Sequence, residues 1–316
     1  MAEPDAWRSW AGLVGDAHPE PVNSASLWRI DSAADGGTYL LKRRIQLGAG
    51  DQRLRLAGEY RILAYLAAAG LPVAVPMVTD DAKLYAVDNG VIYTLTPELP
   101  AGPSKDDDAL LLEIGASVAR LHGALADCPY GIKSWEIRPA ERAFDEAWPR
   151  LQTGLPRDLW EILAQAITPL RSDLIAELNG LPVQRIHGDC HAGNILSVDG
   201  RVSGFIDLDH LPTGPRAYDL AYYLASGLNW LIGQQAEPSE EQTRITKTFL
   251  QGYWSVSELS SAEVSAITPA MIAVQLILAE WHLRADSMKQ VQQALKTVLW
   301  LAERYDSGRA DTSTSH

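Results

Sequence analysis

The sequence predicts an α+β chain of two lobes, a small β-rich one followed by a large α-helical one. Three observations predict it. Strand-like runs with turn signals fill the first 97 residues and leave room for one helix. The stretch Pro97-Glu98-Leu99-Pro100-Ala101-Gly102-Pro103 then punctuates the chain as a linker does. Beyond it, apolar residues recur mainly at helical spacing. At 316 residues the chain has the length of two ordinary domains. The expected bounds are 1–97 for the first lobe and 98–305 for the second, with a small, polar and disordered tail at 306–316.

In chain order, Ser26–Ile30 and Thr38–Arg43 read as strands, and Asp35-Gly36-Gly37 between them is a hairpin signal. Residues 52–69 read as a helix ended by Gly70 and Pro72. Pro72–Val78, Lys83–Val87 and Val91–Leu95 read as further strands. Helices are expected over 108–126, 140–151, 157–178, 216–232, 240–255, 261–284 and 287–305, with a β-like island at 183–209.

Composition removes several classes. The chain has 27 basic and 40 acidic residues and a net charge of −13, which opposes binding to a nucleic-acid backbone. Apolar residues make up 47% and charged ones 21%, which suits a packed core and excludes disorder for most of the chain. No apolar run reaches the roughly 18–20 residues of a membrane span. The first residues lack a basic region followed by an apolar stretch, so no secretory signal is visible. Two cysteines, Cys128 and Cys190, argue against a disulfide scaffold. A cytoplasmic protein with no membrane or nucleic-acid partner is expected. Ten tryptophans serve packing, or wall a cationic or ring-shaped ligand.

The strongest chemical signal is His187-Gly188-Asp189-Cys190-His191-Ala192-Gly193-Asn194, with Asp207 thirteen residues further on at the end of an apolar strand. A hairpin of this layout brings three oxygen-bearing side chains to one end of its strands. Such hard donors suit Mg²⁺, which takes one or two carboxylates together with substrate phosphates. A second signal lies in the first lobe. At 100° per residue, Leu56, Leu63, Leu66 and Ala67 form one apolar stripe with Glu59 in its middle. A carboxylate there requires a partner. Lys42, on the face of Leu40, is the expected one, whereas alternation puts the competing Arg43 on the opposite face. His187, Cys190 and His191 also allow a zinc reading, but no second ligand cluster completes four ligands.

The pattern His-x-Asp-x-x-x-x-Asn followed by an Asp at a strand end resembles the catalytic core of the kinase-like fold. Its His187-Gly188-Asp189 variant, the stretch Arg201–Leu208 and the stretch Pro215–Ala221 resemble the aminoglycoside phosphotransferase family, which includes choline kinase-like and homoserine kinase-like enzymes. Residues 187–196 are also similar to stress-response kinases. The resemblance covers residues 20–285 and is strong over 185–222.

It implies a protein-kinase-like bilobal fold and ATP- and Mg²⁺-dependent phosphoryl transfer to a small-molecule hydroxyl, with GTP not excluded. Asp189 would be the base, and Asn194 and Asp207 the Mg²⁺ ligands. His187 would brace the loop and Asp219 would cap it. Lys42 and Glu59 match the family's phosphate-positioning pair. No Gly-x-Gly-x-x-Gly loop precedes Lys42, and Ser24 and Ser26 would cover the phosphates instead. Thr96 to Glu98 would offer backbone hydrogen bonds to the base ring. His191 would touch substrate or phosphate. Asp209 reads as an extra metal or substrate contact or as a surface acid, and His210 as exposed. Trp230, Trp254, Glu280, Trp281 and Arg284 are acceptor-pocket candidates by location, with core packing as the alternative for the aromatics.

Two other functions stay open. A stress-response type serine/threonine protein kinase shares the fold. Against it, only Leu208–Gly214 separates Asp207 from the next motif, too short for a regulated activation loop, and Gly188 replaces the arginine that would read a phosphosite. A nucleotide-binding scaffold is disfavoured because base, metal ligands and lysine are all present. The identity of the acceptor, and a role in antibiotic resistance, biosynthesis or salvage, are not encoded in any local motif.

Overall fold

The computed structural model describes residues 4–22, 26–44, 52–103, 107–132, 134–234 and 239–313. The chain forms two compact units. One holds Met1–Ser104, Asp127–Lys133 and Leu196–Asp209, the other Lys105–Ala126, Ser134–Ile195 and His210–His316. A helical turn at Asp5–Val14 precedes β1 (Glu20–Pro21), β2 (Leu27–Asp31), β3 (Thr38–Arg44), α1 (Gln52–Ala68), β4 (Ala86–Asp88) and β5 (Val91–Pro97). Next come α2 (Asp108–Asp127), a π-helical segment Glu141–Ala147 running into α3 (Trp148–Gly154), α4 (Arg157–Ile167), α5 (Arg171–Leu178) and β6 (Val183–Arg185). Then follow β7 (Ile195–Val198), β8 (Arg201–Phe205), β9 (Thr213–Pro215), α6 (Arg216–Gly233), α7 (Ser239–Trp254), α8 (Ser261–Ser265), α9 (Ile267–Arg284) and α10 (Met288–Ser313).

In the first unit, β1-β2-β3-β5-β4 form an antiparallel sheet. Period-two alternation on β3 buries Tyr39 and Leu41 on one face with Trp7, Trp10, Trp28, Ile30 and Leu95. The N-terminal turn carrying Trp7 and Trp10 has no counterpart in the sequence-based expectations, and Trp10 Nε1 donates to the Met77 carbonyl at 3.0 Å. Lys42 and Arg44 lie on the other face. Helix α1 stops at Gly70, whose φ of +82° is left-handed. The Gly70 amide bonds the Ala67 carbonyl and the Leu71 amide bonds the Leu66 carbonyl, both at 3.0 Å, which is a Schellman stop.

Pro72–Val78 is not a strand. It makes only isolated bridges, Val73 with Phe205 and Met77 with Leu95, because Pro72 and Pro76 have no amide to give a ladder. The expected lobe boundary also moves. The hairpin β7–β8 up to Asp209 counts almost wholly with the first unit, although it was expected in the second. Its hydrogen bonds explain this. Phe205 N donates to the Pro72 carbonyl at 2.8 Å, Gly102 N to the Ser197 carbonyl at 3.0 Å, and Ser203 Oγ to the Pro100 carbonyl.

In the second unit, α9 is buried along most of its length and packs against α6 and α10. Two expected long helices are broken. Residues 157–178 form α4 and α5, parted at Thr168-Pro169-Leu170, and 261–284 form α8 and α9, parted at Ala266. Helix α8 begins with a reciprocal cap, in which Ser260 N donates to Glu263 Oε2 at 2.9 Å and Glu263 N to Ser260 Oγ at 3.3 Å. The π-helical turn lies just ahead of Pro149, which has no amide for an α-register bond. The tail expected to be disordered from Asp306 is helical to Ser313, because no proline stops a helix already nucleated over Met288–Tyr305. Helix α2 is long and apolar enough, by length and composition, to cross a membrane, contrary to expectation, but 61% of its apolar window is buried within the protein.

Gly115 of α2 and Gly252 of α7 let these helices touch. A Cβ at Gly115 would overlap the Phe249 carbonyl, and one at Gly252 the Leu112 carbonyl. Gly115→Ala is therefore expected to lower stability by about 1–3 kcal/mol. Urea unfolding checks this against Gly123→Ala, where a Cβ meets nothing.

Candidate active site

In the second unit the motif loop follows β6 and hangs from one carboxylate. Asp219 lies in the first turn of α6 and is fully buried. Its Oδ2 accepts from His187 N and its Oδ1 from Gly188 N, each at 2.8 Å. His122 of α2 binds the same carboxylate through Nε2 at 3.0 Å, and its Nδ1 meets the Tyr253 hydroxyl at 3.0 Å. Gly188 has φ +81°, and a Cβ there would overlap the Pro212 ring. Only glycine meets both demands.

Asp189 projects from this pinned loop with its carboxylate 39% exposed. Asn194 Nδ2 donates to Asp189 Oδ2 at 3.0 Å and to the Asp189 carbonyl at 2.9 Å. His191 Nδ1 accepts from Gly193 N at 3.0 Å, and its Nε2 lies 3.7 Å from Asp189. Tyr222, one turn beyond Asp219 on α6, hydrogen-bonds Asp189 and stacks on His191 with ring centroids 6.0 Å apart. Burial, then the Asp189 charge, push the Tyr222 phenol up, so it stays protonated and donates. The three-residue spacing from Asp219 places Tyr222 on the loop side of α6, a signal present in the sequence and not used. Cys190 is fully buried, and burial pushes its thiol well up, so it offers no thiolate to zinc.

The first unit gathers a chain of alternating charges. Asp207, just after β8, has φ +59°, an uncommon backbone for a side-chain-bearing residue. Lys42 Nζ bonds Asp207 and reaches Asp209 at 2.7 Å. Arg44 bonds Asp209 at 2.8 Å and clasps both oxygens of Glu59, at 2.8 and 2.6 Å. Burial works to lower the Lys42 pKa, but Asp209 and Asp207 overcome it and raise it. Burial pushes Glu59 up to about 7 against the pull of Arg44.

The expected Lys42–Glu59 pair is thus corrected. Glu59 is paired, but with Arg44. Lys42 and Arg44 share a face of β3, and β3 runs one residue past its expected end, which puts Arg44 within the strand. Its planar fork grips a carboxylate at two points. Asp209 is an ion-pair hub rather than a plain surface acid.

Other expected contacts fall differently. Ser24 lies outside the described residues. The Ser26 carbonyl accepts from Arg43 N at 2.8 Å, extending the β2–β3 pairing. The Glu98 amide is spent on the Thr38 carbonyl at 2.9 Å and its carboxylate on Arg29 at 3.0 Å, so this N–H is not free for a base ring, while Thr96 sits opposite Leu40 in the ladder. Glu280 is buried and held by Arg284 at 2.8 Å and Arg150 at 3.3 Å, an internal clamp. Trp230, Trp254 and Trp281 are exposed, so none is core. His210 is half-buried against Trp135, with ring centroids 4.9 Å apart.

A carboxylate displayed on a loop pinned by a helix-borne aspartate, with a strand lysine held by acids after a second strand, is the equipment of a phosphotransferase on the protein-kinase-like fold. The model of the phosphotransferase enzyme family matches residues 22–259, and the chain belongs to that family. A curated relative, the serine/threonine protein kinase RdoA of Salmonella typhimurium (strain LT2), is 28% identical over 236 residues. That alignment covers 72% of this chain and 65% of the relative, so the chain spans less than two thirds of the relative's length. The solved amicoumacin kinase hAmiN, in complex with AMP-PNP, Ca²⁺ and Ami, superposes with a TM-score of 0.68 at 18% identity, covering 89% of this chain and 87% of that one. An aminoglycoside phosphotransferase from Alicyclobacillus acidocaldarius superposes with a TM-score of 0.70 at 15% identity, covering 98% and 95%. These likenesses establish the fold.

The two cations on this face of β3, Lys42 and Arg44, are expected to separate in experiment. Arg44→Ala strands the buried Glu59 carboxylate and should cost about 3–5 kcal/mol of stability. Lys42→Ala removes a pair that is 32% and 50% exposed and should cost at most about 1 kcal/mol. Chemical denaturation of the two variants side by side reads the difference.

Proposed function

We propose that the chain transfers the γ-phosphoryl group of ATP, with Mg²⁺, to a hydroxyl of a small molecule. The observation that carries this reading is the presentation of Asp189. Its carboxylate is open to solvent on one side and held by Asn194 and Tyr222 on the other. That is the posture of a group that accepts a proton from an incoming hydroxyl. The acceptor O–H bond breaks and the proton passes to Asp189. The acceptor oxygen bonds the γ-phosphorus as the bridging oxygen–phosphorus bond breaks, and its electron pair leaves with ADP.

The donor chemistry fits Mg²⁺. The hydrogen bonds of Asn194 use Nδ2 and leave the hard amide oxygen to coordinate. The half-exposed Asp207 carboxylate already holds a cation, the Lys42 ammonium. Asn194 and Asp207 are each assigned to Mg²⁺, which when bound neutralises charge on the phosphate oxygens. Lys42 is assigned to those phosphates, and its partly exposed position allows the exchange of partners. The amicoumacin kinase complex with AMP-PNP and Ca²⁺ supports a nucleotide and a divalent cation for this chain too.

A second reading has one observation behind it, the name of the curated relative as a serine/threonine protein kinase. The short interval Leu208–Gly214 weighs against it, since it leaves no length for a peptide-docking activation segment.

The test is ADP release with Mg-ATP over a panel of antibiotics, amino alcohols, hydroxy acids, sugars and one generic protein. Asp189→Ala is expected to lose about 10²–10⁴-fold in turnover while still binding ATP. Full activity in that variant would sink the assignment, and label on protein alone would favour the second reading. Asp207→Ala should instead weaken Mg-ATP binding, read by fluorescence titration. Unchanged affinity there would contradict its metal role.

A further inference from the structure

Both oxygens of Glu59 accept from one nitrogen of Arg44, Nη2, at 2.8 and 2.6 Å. The other nitrogen of that guanidinium, Nη1, donates to Asp209 Oδ1 at 2.8 Å. Asp209 Oδ2 takes the Lys42 ammonium at 2.7 Å. One carboxylate thus divides its oxygens between the fixed arginine and the exchangeable lysine. The backbone of the same residue is tied as well, because Arg55 of α1 donates to the Asp209 carbonyl at 3.0 Å. Glu59 and Arg55 both belong to α1, so two of its side chains fasten that helix to the segment after β8. The relay opens outward, from Glu59 at 3% exposed through Asp209 at 23% to Lys42 at 32%. The other partner of the lysine, Asp207, is assigned to Mg²⁺. A carboxylate given to a metal no longer neutralises the ammonium in full, and Asp209 is the acid left to it.

The geometry points to Asp209, rather than the helix acid Glu59, as the positioning residue that aims Lys42 at the phosphates of ATP. The inference rests on the ATP-dependent reading and assigns one further residue to the same site. A lysine is a point charge on a flexible four-carbon stem. Ordering such a stem at the moment of binding costs affinity, and an acid that orders it beforehand removes that cost. Asp209 can do so because its own place is fixed by Arg44 and Arg55. Arg44 also offsets the Asp209 charge, so the acid holds the lysine without repelling a polyanion as a bare carboxylate would. Asp209 acts through Lys42 and is no metal ligand in this assignment, since both its oxygens are taken by cations of β3.

The experiment titrates the full chain with a fluorescent ATP analogue and Mg²⁺. Asp209→Asn keeps the shape of the side chain and removes its charge. It is expected to raise the Kd about 10- to 100-fold, the worth of a hydrogen bond to a charged group. Asp209→Glu should restore part of the loss. The effect should vanish once the lysine is gone. In a Lys42→Ala background, Asp209→Asn should change the Kd by less than about 2-fold, because residues that act as a unit are not additive. Glu59→Gln should weaken nucleotide binding less than Asp209→Asn does and lower the melting temperature more. A second readout needs no nucleotide. Burial works to lower the Lys42 pKa, and Asp209 leads the charges that raise it. Asp209→Asn should therefore free more amine and speed acylation of Lys42 by acetic anhydride several-fold, read by mass spectrometry against the exposed Lys83.

Unchanged or tighter nucleotide binding in Asp209→Asn would overturn the proposal. So would an equal loss in the Lys42→Ala background, which would make Asp209 a direct metal contact. A larger loss in Glu59→Gln would return the role to the helix acid and overturn it too. If the intact chain binds no Mg-ATP, the ATP-dependent reading fails by itself. Faster Lys42 acylation in Asp209→Asn would then still support the hold of Asp209 on the lysine, and an unchanged rate would overturn it.

Discussion

The buried carboxylate of Asp219 is the constraint on which the catalytic loop depends. A carboxylate with no solvent contact is unfavourable unless its oxygens are filled. Asp219 fills them with two backbone amides of the loop and an imidazole nitrogen of α2. Its place in the first turn of α6 adds the favourable end of the helix dipole. The loop cannot leave without stranding that charge, so His187 and Gly188 are held and the next residue, Asp189, is aimed. The rest of the local sequence serves this bond. Gly188 supplies the left-handed backbone and the space beside Pro212, and Tyr253 holds the far nitrogen of His122.

The first unit divides its cations by burial. The Arg44–Glu59 pair is 9% and 3% exposed and clasped at two points. Breaking it would leave a charge in the interior, so it acts as a fixture between β3 and α1. The Lys42–Asp207 pair is partly open to water, and its partners can be exchanged at small cost. Asp209 joins the two and keeps them in register. The fixture holds the strand while the exchangeable lysine stays available. A Lys42–Glu59 pair would have combined both jobs in one residue. This chain assigns them to two residues on the same face of the strand.

What could be read in the sequence follows from how local each feature is. The loop, its cap and the second-strand aspartate lie within residues 187–219, where contiguous polar residues between apolar strands carry the signal. The β-rich and helical units were legible because period-two and helical spacing differ. The partner of Glu59 was legible only to the level of a strand face, since alternation cannot distinguish residue 42 from residue 44. Pro169, Pro72 and Pro76 were visible breakers that cut one expected helix and removed one expected strand. The allegiance of the β7–β8 hairpin was not legible, because it rests on two backbone bonds, to Pro72 and Gly102, and on the Ser203 hydroxyl bond to the Pro100 carbonyl, all between segments distant in sequence.

The same distinction separates reaction from recognition. Phosphoryl transfer asks for a few oxygens and a cation at fixed positions, and a short loop with its cap can hold most of them. An acceptor must instead be met by side chains that surround it, and these come from distant helices. Tyr222 reaches Asp189 from the helix that caps the loop. Side chains on such distant helices can change while the pinned loop and its Asp219 anchor stay unchanged.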